Sequence, residues 1–208
     1  VQLDDICRRA NATSSERERL VAYDQLFVET AEHTNLVARS SIPERWERHY
    51  HDSTQLLPFL PSEAQTFLDI GSGAGFPVVP LAILSLERSP RRIFTAVDSV
   101  GKKARFLQAA SKACGLINLT VHHDRAENLR RLGPFDVITA RAVTALPTLI
   151  GLAAPLLAED GMMVFPKGRR AHEEIDAACE EWSFDLRRER SETDPEATIL
   201  LIRSPRRK

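Results

Sequence analysis

The segment Leu68–Ile83, LDIGSGAGFPVVPLAI, restricts what this chain can fold into more than any other stretch. An apolar run ends at Asp69 and Ile70, glycines follow at 71, 73 and 75, and apolar residues resume at a helical spacing. The pattern predicts a buried strand, a tight loop and a helix. Glycine permits φ > 0 and carries no Cβ, so the loop can turn sharply and a ligand can rest on its main chain. The helix that follows points free N–H groups and a positive partial charge into the same space. Strand, glycine loop and helix in this order open a doubly wound sheet, in which ligands bind beyond the carboxyl ends of the strands. Gly71, Gly73 and Gly75 are therefore predicted to hold a cofactor.

The rest of the chain repeats the alternation. TFLDI, RIFTAVD, NLTVHH, FDVITAR and GMMVFP read as strands. Helices are expected over 77–86, 101–114 and 144–157 and in RRAHEEIDAACEEW, with a short turn at 126–129. SFDLRRER and ATILLIRS follow as two consecutive strands, suggesting a hairpin with one antiparallel edge strand. Alternating strand and helix implies right-handed crossovers. The expected fold is α/β and Rossmann-like: a mainly parallel seven-stranded sheet with helices on both faces. Residues 1–60 differ. Thr13-x-x-Glu16 and Ser41-x-x-Glu44 read as capping boxes, and Leu20, Tyr23, Leu26 and Phe27 form one apolar helix face. We expect an N-terminal helical extension over 1–60 and the sheet domain over 61–208.

Composition limits the partners. Net charge is −1, so the chain lacks the large positive excess of a protein that coats bare nucleic acid. Its basic residues are grouped instead: Lys102, Lys103 and Arg105; Arg125, Arg130 and Arg131; Lys167, Arg169 and Arg170; Arg203, Arg206, Arg207 and Lys208. Groups sharing a rim would make a phosphate-binding surface. No window approaches the roughly 18 apolar residues of a membrane span. Cys7, Cys114 and Cys179 show neither disulfide nor metal-ligand spacing, so no metal is expected. With a polar, charged start and no apolar leader, the expectation is a cytoplasmic protein.

The loop chooses among cofactors. The dinucleotide fingerprint is G-x-G-x-x-G, and here Phe76 stands where the third glycine would let a pyrophosphate approach. Asp69 would also set a carboxylate near those phosphates. S-adenosylmethionine carries an amine and a sulfonium and no phosphate, and it tolerates an acid there. Asp98, at the end of the second strand, can accept from both ribose hydroxyls. Glu127 follows the third strand, where the adenine edge would lie. Arg141 ends the fourth strand, where the transferred methyl should sit, and Lys167 follows the fifth.

Missing motifs narrow the reaction. No D/N-P-P-Y/F sequence follows strand four, and no cysteine nucleophile lies near a strand end on the active rim. An acceptor that is nucleophilic unaided remains, and guanine N7 qualifies because its lone pair carries no proton. No general base or catalytic side chain is then required. Positioning supplies most of the rate, with Arg141 gripping O6 or a phosphate. His49 and Asp52 are three apart and share a helix face. They could line an RNA-facing mouth or tie the extension to the sheet. Adjacent His122 and His123 point to opposite sheet faces.

These residues resemble a known family over nearly the whole chain. TNLVARS and RHYHDS match the N-terminal extension of the bacterial small-subunit ribosomal RNA guanine-N7 methyltransferases, also called glucose-inhibited division protein B. LDIGSGAGFP, DSVGKKARFL, RAEN, ARA and PKG match its later motifs. The resemblance implies a class I methyltransferase fold and S-adenosylmethionine contacts at Gly71, Phe76, Ala126, Glu127 and Arg141. It implies methylation of one guanine N7 of 16S rRNA, in the small subunit or a precursor; a monomer is the default expectation. Lys102, Arg141, Lys167 and His49 are the expected RNA contacts. Val78 departs from the family, which usually has glycine after GFP, and a β-branched residue there is expected to crowd a strand or the cofactor's methionine tail. A small-molecule or protein methyltransferase, and a nucleotide-binding regulator without chemistry, are the competing readings.

Overall fold

The computed structural model describes residues 1–208. The extension opens with α1 (Leu3–Arg9) and α2 (Ser14–His33). A 3₁₀ turn at Arg39–Ser41 follows, then a π-helical stretch at Trp46–His51 that runs into α3 (Asp52–Thr54). The sheet domain runs β1 (Thr66–Ile70), α4 (Val78–Ser85), β2 (Ile93–Asp98), α5 (Gly101–Ala113), β3 (Leu119–His123), a 3₁₀ turn at Ala126–Arg131, and β4 (Phe135–Ala140). It continues through α6 (Leu146–Ala153), β5 (Leu157–Lys167), α7 (Ala171–Glu181), β6 (Trp182–Arg190) and β7 (Thr198–Arg207).

The seven strands stand in the order β3-β2-β1-β4-β5-β7-β6. The pairs linking β3, β2, β1, β4 and β5 are parallel, as the alternation predicts. The antiparallel strand is not at the edge. β7 lies inside, antiparallel to both β5 and β6, and β6 is the edge. Composition explains the order. Ile199, Leu200, Leu201 and Ile202 bury both faces of β7, whereas β6 after Trp182 has only half-buried and exposed residues and suits an edge.

Two apolar layers cover the sheet. Phe67, Val137, Met162, Val164, Ile199 and Leu201 face a layer built with α4, α5 and the extension. Leu68, Ile138, Met163, Phe165, Leu200 and Ile202 face α6 and α7. α4 is buried all round because it lies between sheet and extension. Val78 packs into that first layer. In α2, Leu20, Tyr23, Phe27 and Ala31 are buried at helical steps. The Thr13 capping box forms: Thr13 Oγ1 accepts from Glu16 N at 3.2 Å and Glu16 Oε2 accepts from Thr13 N at 2.8 Å. The Ser41 box does not form. Ser41 closes a 3₁₀ turn, its hydroxyl donates to Ala38 O, and the same oxygen sits 2.8 Å from His49 Nε2. The helix expected over 144–157 is shorter, because Leu157 already begins β5.

Candidate functional site

β1, β2 and β4 end side by side, and the glycine loop crosses above them. Gly71, Gly73 and Gly75 have φ of 66°, 57° and 91°, the left-handed region glycine favours. Their surroundings differ. A Cβ on Gly75 would lie 2.6 Å from Val79 Cγ2 and 2.7 Å from the Tyr23 hydroxyl, so the protein's own core forbids a side chain there. A Cβ on Gly71 would lie 2.7 Å from Val143 Cγ2. At Gly73 the nearest atom would be Gly71 O at 3.7 Å, so this position alone is open. Asp98 Oδ2 accepts from Gly73 N, and Oδ1 from Val100 N, both at 2.8 Å. Asp98 thereby pins the loop to the end of β2.

Two pockets lie beyond the strand ends, and only the first touches the glycine loop, at Gly71. The first is a slot of about 180 Å³ between the ends of β1 and β2 and the turn after β3. Gly71, Asp98, Ala126 and Glu127 line it, four of the residues singled out from the sequence. Ile70, Val97 and Leu152 give it apolar walls, and Val143 closes one side. Carboxylates that accept from hydroxyl and amino groups, set beside apolar walls, fit a nucleoside. Asp98, Asp124 and Glu127 against the lone cation Arg125 do not fit a pyrophosphate. The volume is below the ~300 Å³ typical of small-molecule sites, and Val143 stands at its edge.

The second pocket, about 470 Å³, lies beyond the ends of β4 and β5 and is lined by Arg141, Val143, Lys167, Glu174 and Asp52. Val143 lines both pockets and divides them. Arg141 faces this second pocket rather than the slot. Lys167 Nζ donates to Thr144 O at 2.9 Å and to Glu174 Oε2 at 2.8 Å, which fixes it at the wall.

Behind the pockets the extension builds an aromatic cluster. Phe76, 4% exposed, stacks on His49 with ring centroids 5.1 Å apart and meets Tyr23, Phe27 and Tyr50 edge-on or tilted. Its ring faces the extension, so a cofactor contact there falls to its backbone. The Arg141 guanidinium lies over that ring at 5.4 Å. His49 is buried, with Nε2 on Ser41 Oγ and Nδ1 3.1 Å from Arg141 Nη2. Burial, with the Arg141 charge adding, lowers its pKa to about 3. The neutral ring then accepts at Nδ1 and donates at Nε2. No polar atom of His49 is left for RNA. Asp69 is buried beneath the loop. Thr139 Oγ1 donates to its Oδ1 at 2.7 Å, Oδ2 has no partner, and burial pushes its pKa up to about 6.

The basic groups do not share one rim. Lys102 and Lys103 begin α5, just past the end of β2. Thr198 pairs with Lys167 and Ile202 with Met163, so Arg203, Arg206, Arg207 and Lys208 run toward the opposite end of the sheet. Arg169 and Arg170 are paired with Glu196 and Glu173. Reading the sequence left out Val143, Thr139 and Glu174, and took Tyr23 only as a core residue. None of these sits in a motif. Only the assembled fold brings them to the rim.

A family profile described as rRNA small subunit methyltransferase G matches residues 16–195. The Rhodospirillum centenum protein named ribosomal RNA small subunit methyltransferase G is 39% identical to this chain, over 89% of this chain and 82% of that protein. The Brucella suis protein of that name is 39% identical over 100% of this chain and 97% of its own length. Among solved structures, M. jannaschii TYW2 in complex with AdoMet superposes with a TM-score of 0.57 at 14% identity, covering 86% of this chain and 80% of that one. A ribosomal protein L11 methylase from Lactobacillus delbrueckii gives 0.56 at 22% identity, covering 76% and 79%. At those identities the structures speak for the fold alone, whereas the profile and the sequence relatives decide the lineage: the chain belongs to the rRNA small subunit methyltransferase G family.

Proposed function

We propose that this chain transfers a methyl group from S-adenosylmethionine to N7 of one guanine in 16S rRNA, within the small ribosomal subunit or a precursor. Family membership supports a methyltransferase that uses this donor on ribosomal RNA. The reading adds the atom, the mechanism, a cytoplasmic monomer, and a division into an extension over 1–60 and a catalytic domain over 61–208. No helix is long and apolar enough to cross a membrane.

The observation that carries the proposal is the pair of pockets sharing Val143. One has nucleoside-binding chemistry, and the other is an open site flanked by Arg141 and Lys167. Asp98 and Glu127 would hold the ribose and adenine edges, with the Gly71–Gly73 backbone beside them. Bound there, the donor supplies an electrophilic methyl on a sulfonium. The carboxylates nearest Arg141 and Lys167 are already occupied: Asp52 accepts from Arg141, and Glu174 accepts from Lys167 and Leu146 N. Neither is set up as a base, which suits a ring nitrogen that loses no proton. The chain's task is to align N7 with the methyl at a separation of about 3 Å and to exclude water. Arg141 and Lys167 are suited to O6 or the flanking phosphates, with Lys102 on the approach.

Radiolabelled methyl transfer offered to small-subunit particles, naked 16S rRNA and a protein extract tests this. Label should enter 16S rRNA, and reduction followed by aniline should cleave the strand at one guanine, as N7-methylation allows. Label in protein, or labelled RNA that aniline leaves intact, would refute the N7 assignment.

A further inference from the structure

We propose that Asp52 and His49, both from the N-terminal extension, are positioning residues that fix the Arg141 guanidinium at the wall of the acceptor pocket. The inference rests on the reading that Arg141 serves methyl transfer. It adds that the extension completes the site and does not merely cover the sheet.

Arg141 follows the last residue of β4 and precedes Ala142, a non-glycine residue at φ 54°, and Val143, which divides the pockets. A free arginine at a strand end would sample many rotamers. This one is held from one side by four groups. Nη1 donates to Arg48 O and to Asp52 Oδ2, each at 3.0 Å. Nη2 donates to His49 Nδ1 at 3.1 Å, and the plane lies over Phe76. An arginine has five N–H donors, so two remain for a ligand.

The holders are themselves held. Asp52 Oδ1 accepts from Gln55 Nε2 at 2.8 Å and from Thr193 Oγ1 at 2.9 Å. Thr193 belongs to the connection between β6 and β7, whose Glu192 N donates to Gln55 Oε1 at 2.7 Å. His49 is oriented by Ser41, and because it stays neutral its Nδ1 remains an acceptor for the cation. Arg141 and Asp52 are both largely shielded, with side-chain exposures of 19% and 17%, so solvent competes weakly for this pair. A group held this way meets its ligand already oriented. Misplacement of a positioning group by about 1 Å costs on the order of 100-fold in rate.

The test is a double-mutant cycle in full-length protein. The readouts are single-turnover methyl transfer to small-subunit particles at saturating donor, the donor Kd by calorimetry, and the unfolding midpoint. Asp52→Ala should slow transfer about 30-fold, with the donor Kd within about threefold of wild type. Asp52→Asn keeps the shape and the Gln55 and Thr193 contacts, and should slow it about 5-fold. His49→Asn keeps an acceptor near the Nδ1 position and should exceed His49→Ala. In an Arg141→Ala background, Asp52→Ala should slow transfer by less than twofold more. Losses that multiply in that background would overturn the proposal, as would wild-type rates in Asp52→Ala. If Asp52→Ala does not fold, Asp52→Asn takes its place in the cycle, and multiplying losses or wild-type rates overturn the proposal there too. Failure of wild type to label 16S rRNA would instead defeat the substrate reading. Full activity in Arg141→Ala would defeat the role of Arg141 and this inference with it.

Discussion

On the β1–β2 side of the rim, Asp98 reaches Gly73 across 25 residues of chain. On the β4 side, Arg141 reaches Asp52 across 89, and Thr193 reaches Asp52 across 141. The first side is a contiguous motif folded on itself: strand, glycine loop, helix, strand and acid. The second is assembled from β4, the extension and the β6–β7 connection, which have no common sequence neighbourhood. The near side can therefore be altered one residue at a time. The far side responds as a network, because each donor there has an acceptor that is itself held. The extension enters both, since the Tyr23 hydroxyl donates to Ala74 O inside the glycine loop.

The largest effect should come from testing whether the near side is as local as its sequence suggests. Gly75→Ala places a methyl within 2.7 Å of Val79 and Tyr23 at φ 91°. Left-handed strain and overpacking together should lower stability by about 3 kcal/mol, read by urea unfolding. Gly73→Ala meets no atom closer than 3.7 Å at φ 57°, and should cost only about 1 kcal/mol. Its main effect should be weaker donor binding. Equal destabilisation by the two substitutions would mean that Tyr23 does not grip the loop.

That contrast also marks what could be read without coordinates. Gly71, Asp98, Ala126 and Glu127 converge on one slot because strand ends and the acids that follow them obey a local rule. The rule predicts that a ligand keeps the loop bare, and at Gly73 the fold leaves the open space such a ligand needs. It does not anticipate that Gly75 is bare because α2 packs there, since that contact depends on how the extension docks. His49 is similar. Its spacing from Asp52 puts both on one face, but spacing alone does not tell a mouth from an interior. The order of β6 and β7 was hidden for a related reason. Adjacent strands suggest a hairpin with an antiparallel edge, and only burial on both faces shows that β7 must lie inside.

A second prediction asks whether Asp69, beneath the near side, belongs to it energetically. Burial raises its pKa from 3.8 to about 6. A carboxyl that holds its proton more tightly when folded favours the fold at low pH. Its contribution is present below about pH 4 and is lost as pH rises through about 6, on the order of 3 kcal/mol in all. Asp69→Asn should flatten the stability profile between pH 4 and 6 and leave the profile above pH 7 parallel to that of wild type. Donor affinity should rise through the same window in wild type only, because an ionised Asp69 attracts the donor's positive charge. An unchanged stability profile in Asp69→Asn would show that this carboxyl ionises normally in the fold.

The smallest effects should distinguish cations on the rim by what already occupies them. Lys102, at the start of α5, is exposed and has no carboxylate partner, whereas Arg170, at the start of α7, is bound to Glu173 at 2.9 Å. Phosphate binding releases counterions only where a cation is free to neutralise it, and a paired arginine must first lose its own acid. Lys102→Ala should therefore weaken RNA binding several-fold near 0.1 M salt and reduce the slope of log affinity against log salt by about 0.7. Arg170→Ala should change affinity by less than twofold and leave the slope in place. Glu173→Gln should do the reverse, steepening the slope by freeing the cation. Filter binding across a salt series reads all three. If Lys102 and Arg170 moved the slope equally, pairing in the free protein would not decide which cations meet RNA, and the contrast between free and occupied rim groups would fail on its own terms.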